Sequence, residues 1–535
     1  MVAYVGGRGG VFTDPVTGIC CAFHGELVSD DTVLSGTLAA ERLVSAWTAS
    51  VGTFTPPEGC FAACLWDAVR GRLVAISDRA GRIPLYWASL GAGVIVAGEL
   101  KGLLAAGVPA ALDVQAWSEL LAYEHLFDPR TPLEGIRRLP GGSTTILGRS
   151  GPEHTARYWQ YTLDPAPVGD EQKWVADFGS LLESSVARRL TPDAALALSG
   201  GLDSRCLVVS AGRVTHSVQA ATYGTPTSAD VQLAAAVAKE AGISHRVLPL
   251  EPGFISRGAA ETVWISEGHI RCFHVHQLAL RALRPLDDRR AVLMGFGGDY
   301  GVRDGYNRRQ LEIGADPESL HRSRALCVGD ELGQRIFEPR FEGELRDRAR
   351  SGLAEALGRE TGEPGLRVHQ MIYNTHSVKL WPGAQLVTDD LSVRDPYDDH
   401  ALLDMCSRLP ERLRRDGRLQ RLYLSTAGAI GRLPNAKDRV RRSPTVLFAR
   451  RRNRGTIGDY GLDLARESRP LLDLLLEDRT LDRGQLRREP VRRLIEQTDM
   501  GRGSRTRALG MLLTFEIFQR QFIDGDGFPA AVEHA

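Results

Sequence analysis

The sequence predicts a fold of the α/β and α+β classes: a β-rich N-terminal sandwich domain followed by a parallel-sheet domain with a helical C-terminal part. Three observations predict it. The chain has 535 residues, 43% hydrophobic and 25% charged, which is typical of a globular protein with more than one domain. Short apolar runs between Gly and Pro turns fill the first 165 residues. Beyond residue 172 strands alternate with helices, which indicates a parallel sheet covered by helices.

Six strands are predicted in the first part, each a short apolar run bounded by turn residues. They cover Gly18–Phe23, Cys60–Trp66, Arg72–Ile76, Leu85–Ala88, Val94–Ala97 and Thr144–Leu147. The stretch Pro165–Asp170 is predicted to link a domain of residues 1–165 to a domain of residues 172–535.

The second part is predicted to begin with a helix, because apolar residues recur at helical spacing over residues 173–190. Strands and helices then follow in the order strand, helix, strand, helix, strand, strand. Their predicted bounds are Ala194–Leu198, Ser204–Ala211, Gln219–Tyr223, Ala229–Ala241, Ser244–Leu250 and Arg290–Met294. From about residue 310 the chain is predicted to be mostly helical and rich in arginine.

The most specific motif joins the first of these strands to its helix and reads Ser199-Gly-Gly-Leu-Asp-Ser204. Two glycines allow a tight turn whose N–H groups face an anion, and the helix N-terminus adds partial positive charge. The serine hydroxyls are further donors, and Asp203 suits a magnesium ion that bridges it to phosphate oxygens. The motif differs from GxxxxGK(S/T) and from GxGxxG. It predicts a phosphate-binding site.

SGGxDS is the motif of the ATP-pyrophosphatase superfamily, and the flanking residues resemble the asparagine synthetase family over most of residues 1–445. The stretches that carry the resemblance are Gly59–Asp67, Asp78–Tyr86, Gly98–Lys101, Gly135–Gly141, Tyr158-Trp159, Leu293–Asp299, Gly305-Tyr306, Arg394–Asp399 and Leu433-Pro434. The resemblance implies an Ntn-hydrolase-like glutaminase domain and an adenine-nucleotide-α-hydrolase-like synthetase domain. It also implies a ligase that adenylates a carboxylate, releases pyrophosphate and joins the carboxylate to an amine.

The same resemblance assigns roles to residues. The pyrophosphate-binding loop would comprise Ser199, Gly200, Gly201, Leu202, Asp203 and Ser204. Asp203 and Asp299 would ligate Mg²⁺, while Leu198, Tyr223 and Gly295 would surround the adenosine. Family members also place a lysine against the departing pyrophosphate. Counting from Leu433-Pro434 gives Arg442 that position, and a shift of a few residues gives it to Lys437; either cation would stabilise the leaving group.

Glutamine-hydrolysing members of the family carry a cysteine directly after the initiator methionine, and Val2 stands in that place here. The N-terminal domain is therefore predicted to be inactive toward glutamine. In this respect the chain resembles the β-lactam-forming synthetases and the lasso-peptide cyclases, which join two groups of one substrate. Phe296 aligns with the tyrosine of the β-lactam branch's basic pair, and the region of its glutamate offers His376 and Lys379 instead.

Four functions remain open from the sequence. A peptide macrolactam former leads, because a peptide's α-amine has a sizeable neutral fraction without a dedicated base. A β-lactam-type synthetase, an ammonia-dependent asparagine synthetase relative and a non-catalytic nucleotide-binding scaffold are the alternatives. The expected substrate is a peptide or small molecule that bears both a carboxylate and an amine. A leader-peptide-binding protein and a protease are the expected partners of a peptide cyclase.

Charge and cysteine content exclude several other classes. Lys+Arg and Asp+Glu number 66 each, so neither a nucleic acid nor a membrane surface is an expected partner. The eight cysteines form no CxxC pair, and no signal peptide or spanning segment is evident, which predicts a cytoplasmic protein. His274-Val-His276 alternates like a strand and is expected in a pocket or core. Asp389-Asp390 and Asp398-Asp399 are expected at turns or helix starts, and Arg450–Arg454 on a solvated face or an acidic leader's docking site.

Overall fold

The structure is a computed structural model. The residues that it describes are 9–29, 32–50, 54–127, 129–167, 169–215, 217–226, 228–284, 290–303, 315–329, 336–388, 391–433, 463–464, 467–497 and 503–527.

Two antiparallel sheets form the N-terminal part. The larger has the order β1-β2-β4-β5-β9-β10, with β3 paired to β2, and the smaller has the order β7-β6-β8. Their strands are β1 Gly9–Thr13, β2 Cys20–Val28, β3 Val33–Ser35, β4 Gly59–Asp67, β5 Arg72–Ser77, β6 Tyr86–Leu90, β7 Gly93–Ala97, β8 Arg137–Arg138, β9 Ser143–Gly148 and β10 Gly151–Arg157. All six predicted strands are present with shifted ends. Strands β1, β3, β8 and β10 were not predicted.

The alternation of side chains along β4 and β5 explains the layering. Phe61 and Ile76 face helix α1 (Gly36–Ala49), whereas Ala62 and Ala75 face the smaller sheet. The two sheets thus pack face to face with α1 outside the larger one. The predicted β-rich sandwich is confirmed. Two further helices of this part, α2 (Leu100–Ala105) and α3 (Val114–Tyr123), were not predicted.

The parallel sheet has the order β13-β12-β11-β14-β15. Its strands are β11 Ala194–Ala197, β12 Gln219–Gly224, β13 Ser244–Pro249, β14 Ala291–Leu293 and β15 Ser392–Arg394. After residue 310 the described chain is mostly helical, as predicted, but the prediction did not include β15. This strand has only three residues, too few for a sequence pattern, and its pairing with β14 fixes it. Helices α4 (Glu171–Arg189), α5 (Leu202–Val214) and α6 (Ala229–Ala241) share a buried core with the sheet.

The chain order reverses at β11, since β12 and β13 lie on one side of it and β14 and β15 on the other. The carboxyl ends of β11 and β14 therefore open into a crevice at a topological switch point, where open parallel sheets bind ligands. The Ser199–Ser204 loop leaves β11 at this point.

Beyond β13, most of the described chain is helical. The helices are α7 (Phe254–Ser266), then Pro317–Arg324, Pro339–Gly358, Pro364–Thr388, His400–Ser407, Glu411–Arg414, Arg418–Ser425, Ala429–Arg432, Arg469–Asp473, Asp478–Leu481, Arg488–Glu496 and Gly503–Phe518. The segment His274-Val-His276 is not a strand, as its alternation suggested, but part of a 3₁₀ helix, Cys272–Ala282. Among the described helices, none combines the length and apolarity needed to cross a bilayer.

The helix Gly503–Phe518 packs on the N-terminal part. Trp117 of α3 contacts the rings of Phe515 and Phe518, with centroids 4.7 and 5.1 Å apart. These aromatic residues belong to one large apolar cluster that joins α2 and α3 to α7 and to the C-terminal helices. By burying apolar surface, the C-terminal helices therefore stabilise both the N-terminal part and the parallel-sheet part.

Candidate nucleotide-binding site

The loop between β11 and α5 has the backbone geometry of an anion site. Gly200 has a φ of +71°, and a Cβ atom there would lie 2.6 Å from Leu233 Cγ, so only glycine fits. Gly201 is the N-cap of α5, and its N–H donates to Ser199 Oγ at 3.3 Å. The hydroxyls of Ser199 and Ser204 lie 3.3 Å apart. The loop thus gathers two hydroxyls and a helix N-terminus at one place.

Asp203 stands in the first turn of α5 and is held from two sides. Gln420 Nε2 donates to its Oδ1 at 2.6 Å, and Arg303 Nη2 donates to its Oδ2 at 2.8 Å. The same Arg303 nitrogen also pairs with Asp299 Oδ1. A single cationic group therefore brings the two predicted magnesium ligands, Asp203 and Asp299, to one point.

The glycine-rich segment after β14 lies directly on Asp203. A Cβ atom on Gly298 would lie 2.3 Å from Asp203 Oδ1, and one on Gly295 would lie 3.2 Å from Asp203 Cβ. Such distances leave no room for a side chain at residue 298. The glycines let the segment that ends in Asp299 approach the Ser199–Ser204 loop closely.

Gly298→Ala is expected to push the Asp203 carboxylate aside and weaken the binding of magnesium–ATP. Overpacking of this kind costs ~1–3 kcal/mol, or roughly a 5- to 150-fold weaker affinity. Titration calorimetry would measure it. Gly212→Ala is the matched control, since no atom lies within 4 Å of a Cβ there and the residue is in α5. Equal affinities for both variants would contradict the close approach.

The donor set suits magnesium bound partly by the nucleotide. Within the described part of the chain, no three His, Cys, Asp or Glu side chains gather closely enough to hold a metal by themselves. Asp203 and Asp299 offer two carboxylates to one point. Mg²⁺ commonly takes one or two protein carboxylates and completes its shell with phosphate oxygens and water. The residues present therefore fit a magnesium–ATP complex.

The residues predicted around the adenosine lie beside this loop at the ends of β11 and β12. Thr222 Oγ1 donates to the carbonyl of Leu198, which joins the two strand ends. The ring of Tyr223 packs on that of His276, with centroids 5.3 Å apart. Gly295 follows β14 on the other side of β11. The structure thus places Leu198, Tyr223 and Gly295 at or just beyond the carboxyl ends of three neighbouring strands, and their contact with adenosine stays a prediction.

A chain of buried polar groups connects the glycine-rich segment to the N-terminal part. Gly297 N–H donates to Asp395 Oδ2 at 2.6 Å, and Arg82 Nε donates to Asp398 Oδ2 at 2.7 Å. Burial, together with the charge of Asp398, raises the pKa of Asp395 to about 8. The sequence did not single out these contacts, because Arg82 is more than 300 residues from Asp398.

The acidic pairs have partly separate roles. Asp399 caps the helix His400–Ser407 by accepting from Leu402 N–H at 3.0 Å, which confirms the expected helix start. Asp398 instead forms the ion pair with Arg82. Asp389-Asp390 lie outside the described residues.

Lys437 and Arg442, the predicted leaving-group cations, lie outside the described residues, as does Arg450–Arg454. The last described residue before them, Leu433, accepts from Arg205 Nη1 at 2.8 Å. Arg205 lies in the first turns of α5, two residues from Asp203. This contact places Leu433, the last described residue of this stretch, beside the start of α5.

Three cysteines of the N-terminal part are poor nucleophiles. Cys21 and the half-buried Cys60 and Cys64 lie within the larger sheet, where burial raises the pKa of all three and brings that of Cys64 to about 12. A thiol with such a pKa is almost wholly protonated at neutral pH. Val2 itself lies outside the described residues.

Comparisons with known proteins agree with the resemblance. The family model "Asparagine synthase" matches residues 177–520, and the model "Glutamine amidotransferase domain" matches residues 25–159. A putative glutamine-hydrolyzing asparagine synthetase of Mycobacterium tuberculosis is 26% identical over 340 residues, which cover 58% of this chain and 50% of that protein. The carboxyethyl-arginine beta-lactam-synthase of Streptomyces clavuligerus is 30% identical over 235 residues, or 43% of each chain.

The chain spans about half the length of the curated relatives it matches first. Among solved structures, an NH3-dependent NAD synthetase from Campylobacter jejuni matches 26% of this chain and 61% of its own, at 18% identity and a TM-score of 0.18.

Proposed function

The chain belongs to the asparagine synthase family, and on that premise we propose that it is an ATP-dependent, AMP-forming carbon–nitrogen ligase. One observation carries the proposal: the Ser199–Ser204 loop at the N-terminus of α5 meets two carboxylates, Asp203 and Asp299, at a sheet switch point. Hydroxyl and N–H donors beside a carboxylate pair suit a triphosphate with its magnesium.

The loop has a defined part in the reaction. Its serine hydroxyls and the first N–H groups of α5 would bind the β- and γ-phosphates and orient the α-phosphorus toward the substrate. A substrate carboxylate oxygen then bonds to that phosphorus as the bond to the bridging oxygen breaks, and pyrophosphate leaves. Asp203 and Asp299 would hold magnesium, which supplies positive charge against the phosphate oxygens when bound. Lys437 or Arg442 would stabilise the charge that grows on the departing pyrophosphate.

An amine then attacks the activated acyl carbon and displaces AMP. We propose that this amine belongs to the same substrate molecule and that the N-terminal part does not supply ammonia from glutamine. The raised pKa values of Cys21, Cys60 and Cys64 support the second point. An intramolecular amine gains from proximity, which can remove ~7–11 kcal/mol of the barrier.

Among intramolecular reactions, we favour macrolactam formation in a peptide, as in lasso-peptide cyclases. The support is Phe296, whose ring packs with Ala384 and Val393 and offers no hydroxyl where the β-lactam branch has its tyrosine. The second candidate is a β-lactam-type cyclisation, which the 30% identity to the beta-lactam-synthase favours. For a peptide substrate, a leader-peptide-binding protein and a protease would be the partners, and the cytoplasm the compartment.

Pyrophosphate release in the presence of ATP and Mg²⁺ tests the proposal. With a linear peptide that has a free α-amine and an acidic side chain, pyrophosphate and AMP should be released from ATP. The peptide itself should lose the mass of one water, as mass spectrometry would show. A β-amino acid substrate, assayed in the same way, tests the second candidate, β-lactam-type cyclisation. Addition of EDTA in excess over Mg²⁺ should stop release, and glutamine should yield no glutamate. Absence of release with both substrate classes, while ATP still binds, would favour a non-catalytic scaffold instead.

A further inference from the structure

Arg303 occupies the position between the two predicted metal ligands. Its Nη2 atom lies 2.8 Å from Asp203 Oδ2 and also pairs with Asp299 Oδ1. A divalent cation that bridged these carboxylates would need the same oxygens. The guanidinium and the metal therefore compete for one place.

The charges at this point favour a divalent ion over the guanidinium alone. Two carboxylates face one guanidinium, so the cluster keeps one net negative charge. Gln420 fixes the other oxygen of Asp203 with a 2.6 Å hydrogen bond, which leaves Oδ2 to the cation. The Asp299 side chain is 48% exposed and the Arg303 side chain 20% exposed, so the pair is open to an incoming ion.

Arg303 can also donate a further hydrogen bond, through its Nε atom. Its Nε is buried and, among the described residues, has no hydrogen-bond partner. Buried guanidinium N–H groups nearly always find an acceptor, because an unpaired one costs free energy. A phosphate oxygen at the adjoining loop would be such an acceptor, since arginine binds phosphates through paired N–H groups.

We propose that Arg303 is an internal counter-ion for the metal site. It holds Asp203 and Asp299 together before the metal arrives, leaves their shared oxygens when magnesium–ATP binds, and then donates to the pyrophosphate part of the nucleotide. The inference rests on the proposed nucleotide site, although it concerns a residue that the family resemblance did not point to. Its consequence is that a divalent cation alone binds weakly and binds well only with the nucleotide.

The test is cation affinity without turnover. Mn²⁺ would be titrated into the full-length protein and free Mn²⁺ followed by electron paramagnetic resonance, first without nucleotide and then with inorganic pyrophosphate. Removing the competing charge in Arg303→Gln should tighten Mn²⁺ binding without nucleotide at least about tenfold. With pyrophosphate present, the same variant should bind Mn²⁺ more weakly than the wild type, because the anion has lost a donor.

Controls separate this role from a purely structural one. Arg303→Lys keeps the charge and should keep the weak nucleotide-free binding of Mn²⁺. Arg479→Gln removes a surface arginine that pairs with Asp524 and Asp526, and should leave both affinities unchanged. If Arg303→Gln does not fold, Arg303→Met gives the same comparison.

Unchanged or weaker Mn²⁺ binding in the folded Arg303→Gln variant without nucleotide would overturn the inference. That outcome is distinct from failure of the proposed function, which would appear as wild-type protein that binds Mn²⁺ and pyrophosphate yet releases no pyrophosphate from ATP.

Discussion

Asp203→Asn is expected to lower the rate of pyrophosphate release from ATP by about 10³-fold, an effect typical of removing one charge-stabilising group from a catalytic centre. Asparagine keeps the size of the side chain and can still accept from Gln420 through its amide oxygen. It loses the negative charge that a magnesium ion would need. The loss should therefore appear in turnover and in Mg²⁺ dependence, while the fold stays intact.

The fold should be unaffected for a specific reason. Tyr397 Oη donates to the main-chain carbonyl of residue 203, at 3.0 Å, and this contact does not depend on the side chain. Asp177→Asn is the matched control, because its pair with Lys173 lies exposed on α4, where ion pairs contribute little to stability. Release rates and thermal midpoints of both variants would be measured together. More than a tenth of wild-type activity in Asp203→Asn would argue against a metal role.

The turn geometry of the Ser199–Ser204 loop could be predicted from sequence because it is local. Six consecutive residues supply the turn, the donors and the carboxylate, and the preceding apolar run fixes the strand that presents them. The strands around it were predictable for the same reason, since each has its own periodicity. The position of Asp299 beside Asp203 was predictable only through the family resemblance, because nothing in the local sequence around Asp299 indicates that contact.

What could not be predicted depends on contacts between distant residues. In the sequence nothing distinguishes Arg303 from the many other arginines. Only the fold places its guanidinium between two carboxylates. Strand β15 has three residues and depends on its partner β14 for its conformation. The helix Gly503–Phe518 gives no sign in sequence of its packing against Trp117. In each case the information lies in tertiary packing rather than in a local pattern.

The ion pair between Arg82 and Asp398 explains how the N-terminal part can matter to the nucleotide site without chemistry of its own. Arg82 lies in the loop between β5 and β6, and Asp398 lies four residues after β15. Asp395, between them and the glycine-rich segment, accepts from Gly297 N–H. The N-terminal part, which we propose does not hydrolyse glutamine, still completes this buried polar cluster.

Arg82→Met is therefore expected to destabilise the protein by ~3–5 kcal/mol, the usual cost of leaving one member of a buried ion pair without its partner. The side chains of Arg82 and Asp398 are only 8% and 17% exposed, so water cannot replace the lost guanidinium. Urea unfolding followed by tryptophan fluorescence would measure the loss. Arg70→Met is the control, since Arg70 is 65% exposed in its pair with Asp67 and should cost ~0–1 kcal/mol.

The double variant Arg82→Met/Asp398→Leu decides between a lost ion pair and lost packing. Removing both charges eliminates the unpaired carboxylate, so the double variant should recover most of the stability that Arg82→Met loses. The pKa of Asp395 should change as well, because the charge of Asp398 is one cause of its raised value. A double variant as unstable as the single one would mean that the methylene packing of Arg82, rather than its charge, stabilises this junction. In that case the polar link from the N-terminal part to Gly297 would have no electrostatic basis.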